Sequence, residues 1–228
     1  MSPKEIVDSS RLLCALDEEA RQQLAATMSV RKAGKGDLIW VGGDAKGFFA
    51  VVGSGYIKMS RPGGHGHEVT IEIMGPGQVF GLNGILFDRA CPLNATAITD
   101  AVYGYVSNVA IAPALQSNSA FKDALLRRTM ARLHEKVDLL ARMSSGRVDE
   151  RIAAVLLTLA ESYGRREADR TVLEVPLTRL QLAELAATTT ETAVRVMTRW
   201  QAQRIVATDS RTISILDMEG LTAIFAAG

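Results

Sequence analysis

Between Ser29 and Asn108 the hydrophobic positions come in short runs divided by glycine-rich turns: KGDLIWVGG, FFAVVGSGYIKM, RPGGHGHEVTIEIMGPGQVFG and LNATAITDAVYGYVS. Inside these runs apolar and polar residues alternate. Val69, Ile71 and Ile73 stand against Thr70 and Glu72, the period of strands with one buried face. Several such strands at short spacing predict a sandwich or barrel. From Ala112 glycine all but disappears and the period becomes helical. In ALQSNSAFKDALLRRTMARLHEKVDLLARM, Leu126, Leu133 and Leu140 form one row, with Met130 and Val137 on the adjoining row. Spacings of three and four suit a coiled-coil seam, so the stretch predicts a homodimer. Phe121, Leu125 and Leu139 offer a second apolar face for packing on the chain's own barrel, and both uses are compatible. SSGR, residues 144–147, breaks the helical pattern and predicts a hinge.

Beyond the hinge, RVDERIAAVLLTLAESYG reads as an amphipathic helix capped at Gly164, followed by a polar, charged loop. Then VPLTRLQLAELAATTTETAVRVMTRWQAQRIVATDSRTISIL reads as strand edge, helix, tight turn, helix and hairpin. Thr178 with Gln181 makes a capping box, and a second helix starts at Thr188 or Thr189 with Glu191 in its first turn. Two short helices about four residues apart form a helix-turn-helix. Ile213 and Ile215, alternating with Thr212 and Ser214 beyond Asp209-Ser210, supply a two-stranded wing. At about 100° per residue, Ala193, Val196, Met197 and Trp200 fall on the core side of the second helix. Thr190, Glu191, Val194, Arg195 and Thr198 fall on the other. Alone, Glu191 and Arg195 read as a surface ion pair of roughly 0.3–0.5 kcal/mol. On the outer helix of a helix-turn-helix they suit base reading: Arg forks onto guanine O6 and N7, and Glu accepts from the cytosine amine. Thr188, Thr189 and Arg211 would then contact phosphates.

Composition narrows the partners. The 228 residues suffice for two small domains, and 47% hydrophobic with 22% charged residues, without an uninterrupted apolar span, suits a soluble chain. MSPKEIVDSSRLL has no secretory pattern, which predicts a cytoplasmic protein. A formal charge of +1 leaves a nucleic-acid partner to local charge. Cys14 and Cys91 are too few and too far apart for a thiolate zinc site or a four-cysteine iron–sulfur cluster, and read as small buried hydrophobes. No Ser–His–Asp arrangement, Walker loop or paired acid–base carboxylates stands out, so no catalytic residues are assigned and the chain reads as a non-enzyme.

The order of these parts resembles the Crp/Fnr family of bacterial transcription regulators from end to end. GDLIWVGGDAKGFFAVVGSGYIKM and GPGQVFGLNGILF match its barrel. The long helix, RIAAVLLTLA and TRLQLAELAATTTETAVRVM follow in the family's order, with Glu191 and Arg195 at its paired reading positions. The resemblance implies an α+β chain in three parts. An N-terminal cyclic-nucleotide-binding-like β-barrel (double-stranded β-helix) spans 1–112, a long dimerisation helix and hinge 113–146, and a C-terminal winged helix-turn-helix 147–228. It also implies a homodimer on a two-fold symmetric DNA site and contact with RNA polymerase.

Departures from the family pattern matter equally. Cyclic-AMP-binding members carry a glutamate for the ribose and an arginine and serine for the phosphate, where this chain has Leu82, beside Gly81, and Leu93 and Asn94. Their adenine-reading helix positions correspond to Lys136 and Val137. A phosphate against leucine lacks charge-assisted bonds, which argues against cyclic AMP. RLHEKVD, VLLTLA and RTISILD resemble the nitric-oxide-responsive Dnr-type branch, associated with haem, whose axial ligand would come from His134, His65, His67 or a methionine. His134, one step beyond Leu133, reads first as a helix-surface histidine beside the dimer seam and only second as a ligand. Thr190 replaces an arginine of cyclic-AMP-binding members, which predicts TTGA-like half-sites with a relaxed outer G·C pair. Two alternatives stand beside this reading. One is a DNA-binding dimer without a small-molecule switch, Leu82 and Leu93 filling the pocket as core. The other is a cupin-like metal enzyme using His65, His67 and Glu72, which lacks a further barrel histidine.

Overall fold

The computed structural model describes residues 1–44, 47–63, 68–82, 89–145 and 147–226. The chain divides into two compact units, Met1–Arg132 and Leu133–Gly228. Among the described residues, eight antiparallel strands of the first unit lie between Ser29 and Ser107, where the alternation places them. They are β1 (Ser29–Ala33), β2 (Leu38–Trp40), β3 (Phe48–Ser54), β4 (Ile57–Pro62), β5 (Glu68–Met74), β6 (Val79–Phe80), β7 (Asn94–Ala97) and β8 (Ala101–Ser107). They form two four-stranded sheets, β1-β8-β3-β6 and β2-β7-β4-β5.

The run Phe49–Val52 is buried on both faces because β3 has packing on each side. Ala50 and Val52 join Trp40, Met59, Met74, Phe80 and Tyr103 between the sheets. Phe49 and Val51 point the other way, into a second core with Ile6, Leu13, Leu24, Ile111, Phe121 and Leu125. Those partners come from helices α1 (Pro3–Ser9), α2 (Glu18–Thr27) and α3 (Asn108–Ser117), a 3-10 turn at Leu13–Ala15, and the start of α4 (Ser119–Ser145).

The helical pattern after Ala112 is two helices, not one. α3 ends at Asn118, whose side-chain oxygen then accepts the backbone N–H of Phe121 at 2.9 Å and starts α4. On α4, Phe121 and Leu125 are buried against the barrel unit, whereas Leu126, Met130, Leu133, Val137 and Leu140 are exposed. Both faces read from the sequence therefore exist. The side chain of Leu139, third member of the barrel-facing set, lies outside the described residues, as does Gly146 of the hinge.

The second unit continues with α5 (Val148–Tyr163), β9 (Gly164–Glu167), β10 (Arg170–Leu173), α6 (Arg179–Leu185), α7 (Thr190–Ala202), β11 (Val206–Asp209), β12 (Thr212–Ile215) and α8 (Met218–Ala226). Its sheet runs β11-β12-β10-β9. The charged segment after Gly164, expected as loop, is a hairpin, with Thr171 paired to Arg166 and Val172 to Arg165. Gly164 ends α5 but in extended backbone, φ −82. Its requirement is closeness: a Cβ there would stand 2.2 Å from the Ala160 carbonyl oxygen. Two further expectations need correcting. Cys14 is exposed, its thiol directed at the Asp8 carbonyl, and Cys91 alone is buried. Helices α1, α2 and α8 were not anticipated, although Ser2 and Glu5 form a full capping box.

Candidate nucleic-acid interface and effector site

The helix-turn-helix is built from its caps. Thr178 accepts the Gln181 N–H while Gln181 accepts the Thr178 N–H, which starts α6. Thr189 accepts the Thr192 N–H at 3.3 Å and starts α7. Four residues separate the helices, as the sequence indicates. At the end of α6, Thr188 N–H donates to the Ala183 carbonyl and Ala187 N–H to that of Glu184, the paired bonds of a Schellman turn. Its left-handed position, normally glycine, is Ala187 at φ 49. The end of α7 repeats the device with Arg204 at φ 59, Ile205 N–H reaching the Trp200 carbonyl.

The helical wheel for α7 is met on both sides. Ala193, Val196, Met197 and Trp200 are buried, Trp200 at 1% exposure. Glu191, Val194, Arg195 and Thr198 are exposed, as is Thr189, with Thr188 and Thr190 half-buried. Among the described residues no ion pair joins Glu191 to Arg195. Glu191 is instead held below the usual carboxylate range by its own backbone N–H and then by the Thr189 hydroxyl. It is ionised, an acceptor aimed outward at the positive end of a helix. Beside α7, Arg211 is exposed at the wing turn, where Asp209 pairs with Thr212 and Ser210 sits at φ 55. Arg179 of α6 donates to the Thr208 hydroxyl at 2.8 Å and ties the first helix to the wing.

Three residues that the sequence reading did not single out complete this arrangement. Arg151 of α5 donates to the carbonyls of Ala186 and Ala187, and Arg199 of α7 pairs with Asp149 of α5 at 2.5 Å. For Asp149 and Arg151 the only sequence signal is a run of charge immediately after residue 146, and Arg199 carries none.

In the barrel, the proposed effector positions are committed to the protein itself. Gly81 is at φ 79, where a Cβ would press on the Trp40 ring at 3.2 Å, and Trp40 stacks on Phe80 at 4.8 Å. Leu82 packs on the helical core and Leu93 on the core between the sheets. The Leu93 carbonyl accepts the Trp40 indole N–H at 3.0 Å. Asn94 accepts the Gly42 N–H at 2.8 Å and donates to Glu68 at 3.3 Å. Burial pushes the Glu68 carboxyl up, but hydrogen bonds from Lys58, Ser60 and Asn94 together bring it below its ordinary value. A carboxylate rather than a guanidinium thus stands next to Asn94.

On α4, His134 and Val137 are exposed and Lys136 half-buried. His65 and His67 lie outside the described residues. Glu72, the carboxylate of the metal-enzyme alternative, is ion-paired with Arg132 of α4. Among the described residues no group of three or more His, Cys, Asp or Glu is placed to hold a metal, and no helix is long and apolar enough to cross a membrane.

An effector-domain-type barrel joined to a winged reader defines a DNA-binding transcription regulator. Family models agree: a cyclic nucleotide-binding domain matches residues 30–118 and a Crp-like helix-turn-helix domain residues 150–224. Together they span well over half of the chain, which belongs to the Crp/Fnr family. The chain is 25% identical over 187 residues to a CRP-like cAMP-activated global transcriptional regulator of Mycobacterium tuberculosis, covering 82% of this chain and 84% of that one. It is 28% identical over 191 residues to the nitrogen fixation regulation protein FixK of Rhizobium meliloti, covering 82% of each. The fold is similar to the solved structure of FixK2 from Bradyrhizobium japonicum, with a TM-score of 0.77 at 20% identity over 88% of this chain and 98% of that one.

Proposed function

We propose that this regulator acts as a homodimer and reads a palindromic, TTGA-like DNA site through Glu191 and Arg195. The carrying observation is the outer face of α7, where both side chains are exposed and not spent on one another. A four-residue spacing sets them about one turn apart on the helix, able to reach the two bases of a single G·C pair. Thr190 is too short to fork onto a further guanine, and Val194 offers methyl groups to thymine. Thr188, Thr189 and Arg211 flank the reading pair as phosphate contacts. The exposed stripe of Leu126, Met130, Leu133, Val137 and Leu140 is the surface that a twin helix would cover. RNA polymerase is the further partner that the family resemblance suggests.

The gating ligand, in this reading, is something other than cyclic AMP. Its pocket would draw on Gly81, Leu82, Leu93 and Asn94 of the barrel. Support comes from Leu82 and Leu93 packed as core and from Asn94 committed to Gly42 and Glu68. The same packing also favours a second reading, a dimer that binds DNA with no ligand at all.

Selection of binding sites from a random duplex library tests both, using the protein and Arg195→Ala, each with and without haem. A two-fold symmetric site from the unmodified protein, losing its G·C preference in Arg195→Ala by about 1–3 kcal/mol, is the expected result. Equal enrichment with and without haem removes haem as the gate. No enrichment in any arm overturns DNA reading by this face.

A further inference from the structure

The first residues of α5, directly after the hinge, include Asp149, Glu150 and Arg151, which take no part in the base or phosphate contacts above. Glu150 serves its own helix: it is 4% exposed and accepts the Arg147 N–H at 3.0 Å. The other two reach into the reader. Arg151 donates from Nε to the Ala186 carbonyl at 3.0 Å and from Nη2 to the Ala187 carbonyl at 3.3 Å. Asp149 accepts from Arg199 Nη2 at 2.5 Å. α5 therefore holds the turn that leads into α7 and also the far part of α7.

The two carbonyls gripped by Arg151 sit where the local chain has few donors to offer. The Schellman bonds of Ala187 and Thr188 satisfy the carbonyls of Glu184 and Ala183, which leaves those at the turn itself to an outside partner. Ala187 carries a side chain in left-handed backbone, a conformation that needs its surroundings to hold it. A guanidinium fork fixes two neighbouring peptide planes at once, which a single ammonium does not. Two residues later Thr189 caps α7, and Glu191 lies in its first turn. The plane angles of the turn thus set where Glu191 and Arg195 point.

We propose that Arg151 is a positioning residue for DNA reading: its fork on Ala186 and Ala187 sets the aim of α7, with the Asp149–Arg199 pair fixing the other end. The inference rests on the base-reading function proposed above. It gives specificity a determinant that touches no base.

The test is a ratio of affinities, measured at one salt concentration. One duplex carries the selected palindrome, and a second has the G·C pair assigned to Arg195 replaced by A·T in both half-sites. The unmodified protein, Arg151→Lys, Arg151→Gln and Asp149→Asn are compared, with melting temperatures measured alongside. Arg151→Gln should lower the ratio by about tenfold, near the loss of one good base contact, while affinity for the replaced duplex stays close to normal. Arg151→Lys should fall between, since one donor restores one carbonyl. A merely structural role would lower both affinities together and leave the ratio intact, which overturns the proposal. If Arg151→Gln shows no cooperative melting, the Arg151→Lys ratio decides by the same criterion. An unmodified protein with a ratio near one removes base reading itself, and the proposal with it; a high ratio retained by every variant removes the proposal alone.

Discussion

Ala187 and Arg204 occupy left-handed backbone that costs an L side chain about 1–2 kcal/mol, and each closes a helix of the reader. Ala187→Gly should therefore stabilise the second unit by about 1 kcal/mol, seen as a raised melting temperature; an unchanged or lowered one counts against strain at this turn. Glu68 carries a prediction of opposite sign. Its folded pKa lies below its ordinary value of 4.5, so it adds stability that is present above that value and lost as pH falls through the lower, folded one. Melting of the protein should weaken on acidification below about pH 4.5 more than melting of Glu68→Gln does, and parallel pH profiles would exclude the Lys58, Ser60 and Asn94 network as the cause. At this scale the sequence exposed some turns and hid others. Among the described residues, six glycines have positive φ, all in the barrel unit, and announce its corners. Among the described residues, four non-glycine residues have positive φ, Ala168, Ala187, Arg204 and Ser210, all in the second unit, and only the Asp209-Ser210 turn shows in the sequence. That is why the hairpin turning at Ala168 reads as loop. It is also why the reader could be placed by its threonine caps but not by the turn between its helices.

Helix α4 shows what an element can carry on two faces. Leu125 is 4% exposed and belongs to the barrel unit's core, so Leu125→Ala should cost about 2–4 kcal/mol of stability. Leu133, 52% exposed, contributes nothing comparable to the single chain. Leu133→Asp should leave the circular dichroism spectrum intact yet convert a dimer to a monomer in sedimentation, and weaken binding to a full palindrome by about a hundredfold through loss of the second half-site. A variant that sediments like the unmodified protein would place the interface elsewhere. The heptad made the outer face legible. The start of α4 was not, because Asn118 and Ser119 are tolerable inside a helical pattern, and only the Asn118 side-chain bond to Phe121 shows that the chain breaks there.

For the whole molecule, the order of barrel, long helix and winged reader was legible because each part has its own period and the parts follow a known succession. The peripheral helices were not, since α1 and α8 are short and depend on packing more than on pattern. A formal charge of +1 means that attraction to DNA must come from placement rather than total. Arg211→Ala should weaken binding to matched and replaced duplexes alike and reduce the slope of log affinity against log salt by about one, whereas Arg195→Ala should change their ratio. A selective effect of Arg211→Ala would move that residue among the base contacts. The apolar stripe of α4 has one last consequence. In the homodimer proposed above, the five large side chains left wet in a single copy tie assembly to how many copies are present, because a second chain covers them. While most chains are still single, occupancy of a two-fold site then rises with the square of their number, so halving gene expression cuts occupancy to about a quarter. Synthesis and degradation of the protein become a sharp dial on transcription even before any ligand is considered.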